Sequence, residues 1–157
     1  MKMKKLLALV LSAIIAVSML TACGGGGGSI HTVSVDRGMI EDMFAMEGYD
    51  VDVVTSNELT TIAKQVAKQV EERDYSTGMV SFVSQEVSYR LPQGSQGWCY
   101  FIPQAQIEAD SASVDALAAS AVWQVHMTVK GDRYAVAVID VTTADGIPCY
   151  LTIAIAQ

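Results

Sequence analysis

Three side chains in the C-terminal third have the types and spacing to line a pocket: Trp123, Tyr134 and Asp140. Asp140 falls in an alternating apolar stretch, Tyr134–Thr143, on the side it shares with Val136 and Val138. A carboxylate among apolar groups must find hydrogen-bond donors or take up a proton, because its charge is costly to bury. The Trp123 indole N–H is the expected donor, and with Tyr134 the three would bind a small ligand at the end of a sheet. The competing expectation is a strand that frays or bulges at Asp140 and leaves the carboxylate at a wet rim.

Other chemistry finds little support. His126 alternates with apolar residues, which makes it a solvated strand histidine, and His31 stands far from it in sequence. Neither HExxH nor paired CxxC occurs, so no metal site is expected. Asp50 and Asp52 would share one face of a strand, but Val51, Val53 and Val54 occupy the places where a calcium loop needs oxygen ligands and a glycine. Gly94-Ser95-Gln96-Gly97 is a turn rather than a nucleophile elbow, and no glycine loop is shaped to cradle phosphate. Neither a cofactor nor an enzymatic activity is expected.

The N-terminus carries the most specific signal. Lys2, Lys4 and Lys5 precede an apolar run from Leu6 to Ala16 broken only by Ser12. A basic start, a short apolar run and a small-residue cleavage site describe a secretory signal. A membrane span needs roughly 20 apolar residues, more than this run supplies. Leu20-Thr21-Ala22-Cys23 resembles the lipobox of bacterial lipoprotein precursors, in which a small residue precedes the cysteine that is acylated and becomes the new N-terminus. The resemblance covers residues 1–23. It implies a signal peptide over 1–22, diacylglycerol and palmitate on Cys23, and attachment to the outer face of the cell membrane. Gly24–Gly28 and Ser29 then read as a flexible tether of roughly 13 Å root-mean-square reach.

Removing residues 1–22 takes three of the ten basic residues and none of the 17 acidic ones, leaving a formal charge of −10 against −7 for the whole chain. That balance argues against a nucleic-acid partner and against docking on anionic lipid through the domain surface. In an exported setting Cys99 and Cys149 can form a disulfide, or remain two buried thiols.

Residues 30–157 suffice for one domain. Asp36 can cap a helix whose Met39, Ile40, Met43 and Phe44 share a face, with Gly48 as its stop. Val51–Val54 suggests a brief strand. Thr55 and Glu58 form a capping-box pair ahead of Leu59, Ile62, Ala63, Val66, Ala67 and Val70, which repeat at helical spacing. Met79–Leu91 and Trp98–Ile107 read as strands around a Pro92–Gly97 turn, the second ending or lying at an edge because of Pro103. Ser113–Ser120 reads as a helical turn. Ala121–Lys130, Tyr134–Thr143 and Ile147–Ala156 form a three-strand meander through Gly131-Asp132 and Asp145-Gly146. Two-residue turns would set Val138 opposite Ile153 and Val136 opposite Ile155, with Trp123, Cys149 and Leu151 on the same side. They would also gather Ala135, Ala137, Ala154 and Ala156 into a flat face on the other.

These elements predict an α+β domain: an antiparallel sheet, the meander plus about two further strands, packed on the Leu59–Val70 helix. The arrangement is similar to cystatin-like and NTF2-like folds. The expected function is a non-catalytic binding or accessory module, tethered to the membrane at the cell surface. One alternative is a small ligand-binding or hydrolytic domain with a pocket between sheet and helix near Asp140. Another is a structural protein that engages a partner or a second copy through the alanine face.

Overall fold

The computed structural model describes residues 30–157. The expected signal peptide, Cys23 and the tether to Ser29 lie outside the described residues. The domain is α+β, with a five-stranded sheet that is antiparallel except at one strand.

Strand β1 (His31–Val33) is followed by helix α1 (Arg37–Met46). Asp36 caps α1 as expected, its carboxylate accepting from the Met39 amide at 3.1 Å. Gly48 takes a positive φ of 86° just beyond the helix end. Strand β2 (Asp52–Thr55) leads into α2 (Asn57–Glu71). The apolar stripe of α2 is the one the spacing predicts, since Leu59, Ile62, Ala63, Val66, Ala67 and Val70 are all buried. Its cap is Ser56 rather than Thr55, which ends β2. The Ser56 hydroxyl accepts from the Leu59 amide at 3.2 Å.

Two stretches read as strands are helices. Met79–Leu91 forms α3 (Met79–Arg90), and the residues it buries, Met79, Val83 and Val87, recur every fourth position. Ala121–Lys130 is the second half of α5 (Val114–Val129), so the three-strand meander is a two-strand hairpin. The alternation from Trp123 to Val129 has the period of a strand. It continues, however, from an alanine-rich run whose N-cap is already built, with Ser113 accepting from the Ala116 amide at 3.0 Å. Once nucleated, a helix extends at one hydrogen bond per residue. Lys130-Gly131-Asp132 is consequently a helix-to-strand link, Lys130 standing at φ 49°. Strand β3 (Gly97–Pro103) stops at Pro103 as expected, and α4 (Gln104–Ala109) follows at once.

Strands β4 (Arg133–Thr142) and β5 (Pro148–Ala156) form the centre of the sheet. β3 flanks β5 as an edge strand. β1 and β2 share the other side of β4, β1 antiparallel along Val138–Asp140 and β2 parallel along Arg133–Val136. The β4–β5 register differs by one from the expected one: Val138 faces Thr152 and Val136 faces Ala154. The loop explains the shift. Thr143 N donates to Ile147 O at 3.0 Å and Gly146 N to Thr143 O at 2.9 Å, with Gly146 at φ 85°. That is a three-residue loop with a glycine bulge, and a slip of one residue sends the partner strand's side chains to the opposite face.

Both faces of the sheet are therefore apolar and both are covered. Ala135, Ala137, Ile139, Val141, Cys149, Leu151, Ile153 and Ile155 pack against α2 and α3. Tyr134, Val136, Val138 and Ala154 pack against α1 and α5. The four-alanine face does not exist: Ala135 and Ala137 lie on one side of the sheet, Ala154 and Ala156 on the other. The likeness to cystatin-like and NTF2-like folds rested on the meander and falls with it.

Gly97 opens β3 where a side chain has no room. A Cβ there would stand 2.9 Å from Leu91 Cδ1, 3.0 Å from Ile155 Cγ2 and 3.1 Å from the Ala154 carbonyl. Gly97→Ala is expected to cost about 1–3 kcal/mol through overpacking. Urea unfolding would show this as a lower midpoint at unchanged slope.

Candidate functional site

Of the three residues expected to line a pocket, the structure brings two together. Trp123 on α5 and Tyr134 at the start of β4 belong to the core on the α1–α5 side. Asp140 points to the same side of the sheet but stands six residues further along β4, roughly 20 Å from Tyr134 at strand rise. The apolar stripe of α2 meets the opposite face, so no pocket between sheet and that helix contains these residues.

Asp140 is half-buried at the sheet end where β1 joins. It lies opposite His31 on one neighbour and Tyr150 on the other, and accepts from Gln104 Nε2 at 2.9 Å. Burial raises its pKa above the ordinary carboxylate value, while the charge of His31 and the Gln104 hydrogen bond pull the other way. The donor expected from the Trp123 indole is supplied by Gln104.

The other end of β4 holds the more unusual arrangement. His126, expected on a wet strand face, is 4% exposed on the inner side of α5. Its Nδ1 lies 2.7 Å from the Tyr134 hydroxyl oxygen, and that hydroxyl donates to the Gly131 carbonyl at 2.6 Å. A phenol has one proton. With that proton directed at the Gly131 carbonyl, the phenol oxygen accepts from His126 Nδ1–H, which selects the Nδ1–H tautomer of a neutral imidazole. Nε2 is then a bare lone pair, and it is buried without a hydrogen-bond partner. Burial raises the Tyr134 pKa, the Gly131 hydrogen bond opposes the rise, and the charge of Asp132 adds to it.

Aromatic rings surround this imidazole. Tyr49 stands 4.5 Å from it centroid to centroid, Phe44 5.4 Å, Tyr134 5.8 Å and Trp123 5.9 Å. Beside it lies an open hollow of about 470 Å³ lined by Tyr49, Asp50, His126, Lys130, Gly131 and Asp132. A second hollow, lined by residues of the α2–α3 link and the start of α3, includes Arg73, whose guanidinium sits 4.1 Å over the Phe82 ring. It contains neither of the two buried side-chain atoms that lack partners, His126 Nε2 and Thr152 Oγ1.

The two thiols do not approach each other. Cys149 lies opposite Pro103, four residues along β3 from Cys99, so about 13 Å separates them along the strands; of the two alternatives, disulfide or separate thiols, the structure has the thiols. Burial raises both pKa values, that of Cys149 to about 12, with Asp145 and Asp140 adding to the rise there. Both sit on the α2–α3 side of the sheet and His126 on the α1–α5 side. Asp50 and Asp52 are both exposed, as surface acids would be, and Asp52 meets Arg133 at 3.3 Å. No cluster of three or more metal-ligating side chains exists among the described residues.

Tyr49 is not singled out by the sequence, and His126 is singled out there only as a solvated strand histidine. A helical spacing of Leu117, Ala118, Ala121, Val122 and Val125 would have turned His126 inward, had it been preferred to the alternation. No family model matches this chain, and comparison with curated proteins and with solved structures finds no similar one.

Tyr134→Phe leaves the Gly131 carbonyl and His126 Nδ1–H without their shared partner. It is expected to lower stability by about 1–3 kcal/mol, measured by urea denaturation. Asp140 supplies a pH test. Its folded carboxyl holds the proton more tightly than the unfolded one, so ionisation works against the folded state. Relative to Asp140→Asn, the wild-type chain should lose stability as pH rises from the unfolded carboxylate range through the folded pKa, the difference levelling off above it. A pH series of unfolding midpoints for the two proteins would check the sign.

Proposed function

We propose that this chain is a lipid-anchored extracytoplasmic protein whose domain serves as a non-catalytic binding or accessory module. Cys23 carries the reading: it follows an apolar run and a small residue, and it lies eight positions before the first strand. Eight residues span at most about 28 Å, so the anchor would hold the domain close to the headgroups. The chain joins the sheet at His31, beside Asp140. The hollow at His126 lies toward the opposite end of β4 and would face away from the attachment point.

Placement of the thiols supports a non-catalytic role, since the sheet separates both from His126 and burial holds them protonated. No helix among the described residues is long and apolar enough to cross a membrane. The partners that suit this reading are the membrane, through the lipid, and a ligand or protein met at the exposed end.

Mass spectrometry of the protein recovered from membranes tests the anchor. The expected product begins at Cys23 and carries a diacylglyceryl thioether with a further acyl chain, two or more chains being needed for lasting attachment. Cys23→Ser should abolish acylation and leave the leader uncleaved. An unmodified N-terminus at residue 23 of the wild-type chain would refute the proposal.

A further inference from the structure

We infer that the free edge of β3 pairs with the same edge of a second copy of this chain. The two strands run antiparallel, centred on Trp98, and join two sheets into one. The inference goes beyond the binding-module reading and does not depend on the lipid.

The ladder shows which backbone groups are free. Ala156 N donates to Gln96 O at 3.0 Å, one step before the first paired residue of β3. Antiparallel pairs alternate between hydrogen-bonded and non-hydrogen-bonded ones. Trp98, Tyr100 and Ile102 therefore exchange bonds with Ala154, Thr152 and Tyr150, and the residues between them turn their N–H and C=O groups away from β5. Of these, Phe101 is 3% exposed and closes the accessible edge, while Gly97 is exposed and Cys99 partly so. The hydrogen bonds among the described residues give the outward groups of Gly97 and Cys99 no partner.

The opposite edge of the sheet shows how this chain closes one. There α1 takes up the outward backbone of Val53 on β2: the amide donates to Glu41 at 2.8 Å and the carbonyl accepts from Arg37 at 3.5 Å. β3 has no such guard. Its register against β5 runs without a bulge, its one proline is its last residue, and it carries no charge. An edge without these protections is a template for another strand.

Charge decides whose strand it is. The formal charge of −10 on residues 23–157 sets like copies against each other over most of the surface. From Leu91 to Ile107 the chain has no charged residue, so two copies can meet along β3 without opposing carboxylates. Gly97 and Cys99 then exchange hydrogen bonds with Cys99 and Gly97 of the second copy, and each Trp98 stands opposite the other in a non-hydrogen-bonded pair. Trp98 is 43% exposed, its ring 6.2 Å from that of Tyr100, so it has apolar surface to give to its counterpart. Aromatic pairs across strands stabilise such a ladder.

The test uses the full-length chain in detergent, with micelles in excess over protein. Sedimentation equilibrium should show a protein mass that rises from monomer towards dimer with concentration. Trp98→Lys, which puts a charge on the edge, should stay monomeric over the same range. Oxidative crosslinking reads the register in a background of Cys23→Ser, Cys99→Ala and Cys149→Ala. Trp98→Cys sets two thiols on a non-hydrogen-bonded pair, with Cα atoms about 4.5 Å apart, and should form a disulfide dimer. Tyr100→Cys meets Gln96 of the second copy, so its own thiols stay roughly 13 Å apart and should not couple. A mass that remains monomeric, leaving the edge to an extended segment of another protein, overturns the inference. So does a Trp98→Lys chain that associates like the wild type, or a Tyr100→Cys chain that crosslinks as readily as Trp98→Cys.

Discussion

Strands β4 and β5 bury side chains on both of their faces, and neither face can be left in water. Ile139, Leu151 and Ile153 point one way and Tyr134, Val138 and Ala154 the other, all at or below 1% exposure. A sheet centre of this kind is stable only between two helical layers. From that requirement follow α2 and α3 on one side, α1 and α5 on the other, and the inward turn of His126. Side-chain bonds tie the layers down: Glu41 on α1 accepts from the Val53 amide at 2.8 Å, and Asp115 on α5 accepts from the Asp36 amide at 2.8 Å. Asp145 in the hairpin loop accepts from the Tyr75 amide at 3.0 Å, docking the loop on the α2–α3 link.

The same doubly buried centre limited what the residues alone could reveal. Where one face is wet, alternation of apolar and polar residues fixes the register. Here Ala135–Ile139 and Leu151–Ile155 are almost continuously apolar, so only the loop distinguished one register from its neighbour. Asp145-Gly146 marks a turn, but the backbone closes across Thr143 and Ile147, which brings Ala144 into the loop, and the Thr143 hydroxyl accepts from the Ile147 amide at 3.0 Å across it. Amphipathic α2 and the capped α1 were legible because each has one wet side. Helix α5 has little wet surface over much of its length, which leaves its period ambiguous in a stretch such as Trp123–Val129.

The candidate site follows this division. Trp123 and Tyr134 were apparent as large amphipathic residues on one side of the sheet, and the structure keeps them near each other. Asp140 joins Trp123 only if Ala121–Lys130 is a strand beside β4; as part of α5, Trp123 packs near Tyr134 and the carboxylate stands at the other end of β4. His126 was hidden by the strand reading of α5. The hydrogen-bonded chain from His126 through Tyr134 to Gly131 depends on α5 ending within a few residues of the start of β4, and no local spacing rule encodes that.

The strand order also sets a sequence of events during synthesis. His31 pairs with Asp140, and Val53 with Tyr134, so β1 and β2 leave the ribosome long before the strand that completes them. Only the β4–β5 hairpin is local, and it follows the other strands in the chain. Until then the N-terminal half has no sheet to join, and the helices that cover the sheet have nothing to cover. A growing chain of this topology stays without its core until β4 and β5 have both been made, and the side chains destined for the two faces of the sheet stay in water until then.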